Sequence, residues 1–297
     1  MPLARTNGID LEYETFGHPS RPPLLLIMGL GAQMILWDEE FCAALVDRGY
    51  FVIRFDNRDI GLSTKLDASG IPDVMAAMTR ALGGETVEAP YTLSDMAADT
   101  AGLLDALGIE RAHVVGASLG GMIAQTLAIE YPRRVLSLTS IMSSTGNPDV
   151  TQPRPEALSA LLGPLPTSRD EAVDSIIRFF RVVGSPGFPF DEQRVRERAA
   201  LAFDRGFNPL GVARQLVATL ASGSRTERLR SVRVPALVIH GKNDPLIPLA
   251  GGEDTAAALP RAELLVIDGM GHDMPPAVWR PIVDAICALT ARAKEAR

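Results

Sequence analysis

The stretch HVVGASLGGMIAQ, residues 113–125, limits what this chain can fold into more than any other. It reads as a short apolar strand, a sharp turn with Ser118 at its apex, and a helix that ends at Pro132. Gly116, Ser118 and Gly120 fit G-x-S-x-G, the elbow that presents a nucleophilic serine. A serine on so tight a turn takes strained backbone angles. Its neighbours must be nearly free of side chain if strand and helix are to pass each other. Ser118 Oγ then stands exposed at the carboxyl end of a parallel strand. The helix N-terminus beneath it favours developing negative charge. G-x-S-x-G also arises by chance, so the strand before it and the helix after it carry the reading.

The rest of the chain supplies a sheet around that elbow. Residues 10–16 (DLEYETF) alternate apolar and polar, as an antiparallel strand half-exposed to water does. Residues 3–5 are expected to pair with them through Asn7-Gly8, a hairpin dipeptide. Residues 23–28 (PLLLIM) are continuously apolar, the mark of a strand buried on both faces. Gly29-Leu30-Gly31 follows, and then a helix is expected through about Val46. Further strands are predicted at 51–55, 135–142, 236–240 and 263–267, and helices at 92–107, 251–259 and 276–292. Thr92 and Asp95 form a capping box. Residues 64–91 read as irregular, with a short helix near 74–82.

Strand signals vanish between 143 and 230, where helices are predicted at 156–162, 169–183, 192–204 and 210–221. Strands alternating with helices imply a mainly parallel sheet covered on both faces. The expected organisation is a core of residues 1–142 and 231–297, interrupted by a helical cap at 143–230. Ligands should gather at the carboxyl ends of the strands.

Composition removes several classes. The chain has 297 residues and a net charge of −7, with no basic patch for nucleic acid. No charged-then-apolar leader opens it, and its longest apolar run is too short to span a bilayer. Cys42 and Cys287 lie far apart in predicted helices, as free thiols of a reducing compartment do. A cytoplasmic protein with no nucleic-acid or membrane partner is expected.

A serine hydroxyl is a poor nucleophile alone; it needs a base, and the base needs an orienting acid. Of four histidines, His272 sits in the glycine-rich loop after the last strand, at the same sheet edge as Ser118. His18 lies in the N-terminal hairpin region, His113 at the wrong end of its strand, and His240 at a strand end where a structural role competes. Asp244, in HGKNDPLIP after strand 236–240, is the expected acid. Asp268 is its rival, but is too close in sequence to His272 to reach around the ring. The order Ser118, Asp244, His272 is that of the α/β-hydrolases. Two backbone donors must bind an oxyanion, and Leu119 and Leu30 N–H are the expected pair. Met28, Met34, Trp37, Met142, Ile247, Met270 and Met274 are candidates for an apolar substrate pocket. Asp56, Arg58 and Asp59 (DNRDIG) read as a charged turn held by an internal Asp–Arg pair. HExxH is absent and the histidines are few and scattered, so no metal is expected.

With these residues placed, the chain resembles the α/β-hydrolase fold family over nearly its whole length. The matching stretches are LLLIMGLG, FDNRDIGLS, VVGASLGG, LVIHGKNDPLIP and GMGH. The resemblance implies an eight-stranded, mostly parallel sheet with helices on both faces. It also implies a helical cap after strand six, no cofactor, and hydrolysis through an acyl-serine intermediate. Three departures point to one branch. Met28-Gly29 replaces the common His-Gly, DNRDIG replaces D-x-R-G-x-G, and DMPPAVW follows His272. These are similar to aclacinomycin methylesterase and its relatives, so a small-molecule carboxylic ester is the expected substrate.

Several rivals share features of this sequence. Epoxide hydrolases and haloalkane dehalogenases share the fold but use an aspartate where this chain has Ser118. Lactonases, carbon–carbon bond hydrolases and cofactor-free perhydrolases use the same three side chains and stay open. A dinucleotide site at Gly29-x-Gly31 lacks its third glycine, since Met34 stands there. A non-catalytic receptor has no need of all three side chains.

Overall fold

The computed structural model describes residues 2–150 and 152–295. The strands are β1 (Leu3–Thr6), β2 (Ile9–Phe16), β3 (Pro23–Ile27), β4 (Phe51–Phe55), β5 (Ala112–Ala117), β6 (Val135–Ile141), β7 (Ala236–Gly241) and β8 (Ala262–Ile267). They form one eight-stranded sheet in the order β1-β2-β4-β3-β5-β6-β7-β8. Only β2 runs antiparallel to its neighbours; β4 through β8 in that order pair in parallel. Every strand read from the sequence is present.

The continuous apolar runs are explained by two cores, one on each face. Leu25, Ile27, Ile53, Phe55 and Val114 pack with α3 (Leu93–Ala106) and α4 (Leu119–Glu130). Leu24, Leu26, Val52, Val115 and Ile239 face the other way. They meet Phe41 and Leu45 of α1 (Glu39–Asp47), and Ile282 and Ile286 of α11 (Pro276–Glu295). Successive residues of β3 thus serve opposite layers, which leaves no polar position in the strand.

The remaining helices shape the site. The short helix read near 74–82 is α2 (Val74–Leu82), capped by Asp73, whose carboxylate accepts from Ala76 N–H. Five helices intervene between β6 and β7: α5 (Pro155–Leu161), α6 (Arg169–Val183), α7 (Glu192–Gly206), α8 (Pro209–Ser222) and the single turn α9 (Thr226–Leu229). The last was not read from the sequence. After β7 comes α10 (Leu249–Ala258).

Two expectations are corrected. The first helix does not follow directly on Gly31. A 3-10 turn, Met34–Leu36, comes first, and α1 starts at Glu39. The intervening backbone is bonded to the neighbouring strand instead: Met34 N–H donates to Asp56 Oδ1 at 2.7 Å, and the Trp37 carbonyl accepts from Arg54.

The DNRDIG turn is not held by an internal Asp–Arg pair either. Arg58 pairs with Asp99 of α3 through two hydrogen bonds of 2.6 and 2.7 Å. Asp56 and Glu12 share Arg205 of α7, at 3.1 and 2.6 Å. Asp59 takes a bidentate pair from Arg214 of α8, at 2.9 and 2.8 Å. The turn is therefore a junction where the inserted helices are tied to the sheet.

The Asp59–Arg214 pair is fully enclosed, both side chains being 0% exposed. Burial pushes the Asp59 carboxyl upward. Hydrogen bonds from Arg214, Leu66 N–H and Tyr91 outweigh that and hold it below the ordinary aspartate value. A depressed folded pKa contributes stability above the unfolded value of ~3.9, and that stability is lost as pH falls through the lower folded value. Arg214→Met leaves an enclosed carboxylate without its partner. It should cost about 3–5 kcal/mol of stability at neutral pH, read by urea unfolding. The deficit should shrink toward pH 4; a deficit under about 1 kcal/mol at pH 7 would contradict the pairing.

Candidate active site

Ser118 stands between β5 and α4 with φ 54° and ψ −121°, the strained elbow geometry. Sterics explain the glycines beside it. A Cβ on Gly116 would lie 2.0 Å from the Gly120 carbonyl oxygen, and one on Gly120 would lie 2.1 Å from that of Ile27. Both obstacles are backbone and cannot rotate away. The Ser118 N–H donates to the Ile141 carbonyl at 2.9 Å, which ties the turn to β6.

His272 lies in the loop between β8 and α11, and its N–H donates to the Val183 carbonyl at 2.7 Å. Its Nε2 is 3.0 Å from Ser118 Oγ, and its Nδ1 is 2.7 Å from Asp244 Oδ2. A carboxylate only accepts, so Nδ1 carries the proton and Nε2 is left to accept from the serine. Asp244 is fixed in turn, its Oδ1 accepting from Leu246 and Ile247 N–H, both at 2.9 Å. Three elements separated in sequence thus bring a hydroxyl, an imidazole and a carboxylate into one chain of hydrogen bonds.

The rival groups stand outside this chain of hydrogen bonds. Asp268 is 84% exposed and pairs with Lys242. His240 is buried 3.8 Å from Asp244 Oδ2, but its Nε2 is bonded to the Ile247 carbonyl at 2.8 Å, and burial lowers its pKa. His113 bonds Ser137 at 2.8 Å inside the sheet. His18 bonds Ser20 at the surface. Leu119 N–H opens α4 directly after the serine. Leu30 lies in the loop beside it, where a Cβ on Gly29 would come within 3.1 Å of Ser118 Cβ. Neither N–H donates to any acceptor among the described residues.

Above these groups is a cavity of about 1380 Å³ between the strand ends and the inserted helices. Of the residues read as pocket candidates, Met28, Trp37, Met142, Ile247 and Met274 line it. Met34 and Met270 do not. Both are 0% exposed, Met34 held behind the wall by its bond to Asp56, and Met270 packed into the α11-side core. Much of the wall was not singled out in the sequence: Met75 and Met78 of α2, Phe179 and Phe180 of α6, and Phe203 of α7. The helical pattern of these segments is visible in the sequence, but not which face meets a cavity. Asp273 also lines it; burial raises its carboxyl, which accepts from Ser185. Among the described residues, no helix is long and apolar enough to cross a membrane, and no group of three His, Cys, Asp or Glu could hold a metal ion.

A model of the alpha/beta hydrolase fold matches residues 22–275. The chain belongs to the α/β-hydrolase fold family. This α/β hydrolase is 31% identical to rhodomycin D methylesterase DnrP of Streptomyces peucetius, covering 98% of each chain. It is 27% identical to 3-oxoadipate enol-lactonase 2 of Acinetobacter baylyi, covering 94% of this chain and 93% of that one. Among solved structures, a meta-cleavage product hydrolase from Pseudomonas fluorescens matches with a TM-score of 0.73 at 21% identity, over 99% and 98% of the two chains. That last likeness is one of fold. The methylesterase relative agrees with the branch to which the three sequence departures pointed.

The Asp244 geometry is directly observable. A proton held between His272 Nδ1 and a charged acceptor at 2.7 Å should give a far-downfield ¹H resonance. Asp244→Asn should abolish it. The two backbone donors would hold the amide oxygen and turn the nitrogen toward the ring. A resonance that survives this change would contradict the contact.

Proposed function

We propose that the protein is a serine esterase that cleaves carboxylic esters of small molecules through an acyl-serine intermediate. The observation that carries this reading is the unbroken chain from Ser118 Oγ to His272 to Asp244 at the floor of a mostly apolar cavity. Ser118 Oγ attacks the ester carbonyl while His272 Nε2 takes its proton. Asp244 holds the ring and stabilises the imidazolium. The carbonyl oxygen, now an anion, is met by the N–H groups of Leu119 and Leu30. As the tetrahedral centre collapses, the alcohol leaves with the proton from Nε2. Water then gives its proton to the same nitrogen, attacks the acyl group and releases the acid.

Residues 143–230 act in this reading as a cap that selects substrate. The volume and the methionine and phenylalanine walls favour a bulky, largely apolar acid over acetate. The likeness to rhodomycin D methylesterase favours a methyl ester as the bond broken. The free thiols of Cys42 and Cys287 agree with a cytoplasmic setting. Burial pushes the Cys42 thiol up to about 12, which keeps it inert.

Ser118→Ala should lower kcat on methyl esters of bulky acids by about 10⁴-fold or more, with the fold intact by circular dichroism. A variant that keeps a tenth of the wild-type rate would refute the assignment. A matched set of lactones decides between ester and lactone as the preferred substrate. Turnover of lactones alone would move the reading to lactonase.

A further inference from the structure

The loop that carries Leu30 is gripped by a side chain from the inserted helices. The Gly29 carbonyl accepts from Ala32 N–H at 3.2 Å, closing a β-turn with Leu30 and Gly31 at its centre. Gly31 has φ +67°, the left-handed value that the third position of a type II turn requires. The turn leaves the N–H groups of its two central residues without a partner inside it. The Gly31 N–H donates to Gln215 Oε1 of α8 at 3.0 Å. The other end of the same amide, Nε2, donates to the Arg58 carbonyl at 3.0 Å. Gln215 is 0% exposed, and its bond to Arg58 is buried. One helical turn away on the same face, Val212 closes over Gly31, where a Cβ would meet its Cγ2 at 2.9 Å. On the other flank, Asn57 Nδ2 donates to the Met28 carbonyl at 2.9 Å.

We propose that Gln215 is a positioning residue for the oxyanion donor. By fixing the Gly31 N–H, it sets the turn so that the Leu30 N–H is aimed beside Ser118. The claim rests on the serine-esterase reading and deepens it: the inserted helices complete the catalytic floor as well as roofing the cavity. A buried amide that only filled space would bond within its own helix. This one spans two loops that both end strands of the sheet. The central peptide of a type II turn rotates readily between its two orientations, and only one of them offers an N–H to Gln215. Without that acceptor the turn samples both. The Leu30 N–H belongs to the preceding Gly29–Leu30 peptide, hinged to the central one at the Leu30 Cα, so a turn no longer pinned at Gly31 holds that donor less firmly beside Ser118. A donor a fraction of an ångström out of place loses much of its effect on the transition state while binding the ground state almost as before.

The test is the rate at which a fluorophosphonate labels Ser118, followed by intact mass, beside steady-state kinetics on a p-nitrophenyl ester. The phosphonyl oxygen needs the same two donors as the ester anion. Gln215→Leu should slow labelling and kcat alike by about 10- to 100-fold, with KM within about threefold of wild type. Gln215→Met, matched in length, serves if the leucine variant does not fold. Gln215→Glu keeps the acceptor for Gly31 and should recover labelling to within about threefold of wild type. Labelling of the leucine or methionine variant at the wild-type rate overturns the proposal. So does a glutamate variant as slow as the leucine one, or a loss that falls on KM alone. A wild-type protein that is not labelled at Ser118 overturns the serine reading itself, which separates the two failures.

Discussion

The elbow at Ser118 is held by three backbones pressed closer together than any side chain allows. β5, α4 and the end of β3 converge there, and the hypothetical Cβ distances of 2.0 and 2.1 Å at Gly116 and Gly120 measure how little room is left. That compression turns the serine outward at φ 54° and puts its hydroxyl on the rim of the sheet. The strain is sustained because the strands on either side are buried on both faces and cannot yield. His272 and Asp244 come to the same rim because parallel strands all end there.

A second layer of organisation is ionic. Arg205 and Arg214 reach down from α7 and α8 to Asp56 and Asp59 in the turn after β4, and Arg205 also to Glu12 of β2. Gln215 does the same with a neutral amide. Enclosed pairs of this kind add little net stability compared with apolar packing, but they tolerate only one arrangement. The inserted helices are thereby registered on the sheet, and the cavity between them has a defined shape.

The sheet was legible in the sequence because its strands are continuous apolar runs bounded by glycine and proline. That Ser118, Asp244 and His272 meet at one edge was legible because each lies in the loop or turn that follows such a run. Partners were harder to read. Arg58 looked like a mate for its own neighbours, yet it reaches Asp99 on α3. Nothing in a linear sequence says which of many arginines will fold over a given aspartate. Met34 and Met270 failed as pocket residues for a related reason. Proximity to a strand end fixes a residue's height along the sheet, while its side chain can still point into a core. Phe179, Phe180 and Phe203 lay in helices whose apolar stripes were visible but whose neighbours were not.

The hydrogen-bonded chain of Ser118, His272 and Asp244 and the cavity wall above it come from different parts of the sequence. Ser118, Asp244 and His272 sit on loops of the rigid sheet. Much of the wall comes from α2 and from the helices between β6 and β7. Residues such as Met75 and Phe179 can drift without disturbing the floor. Substitution in that wall therefore reshapes the space above the floor by small steps, while the three hydrogen-bonded side chains beneath it keep their places.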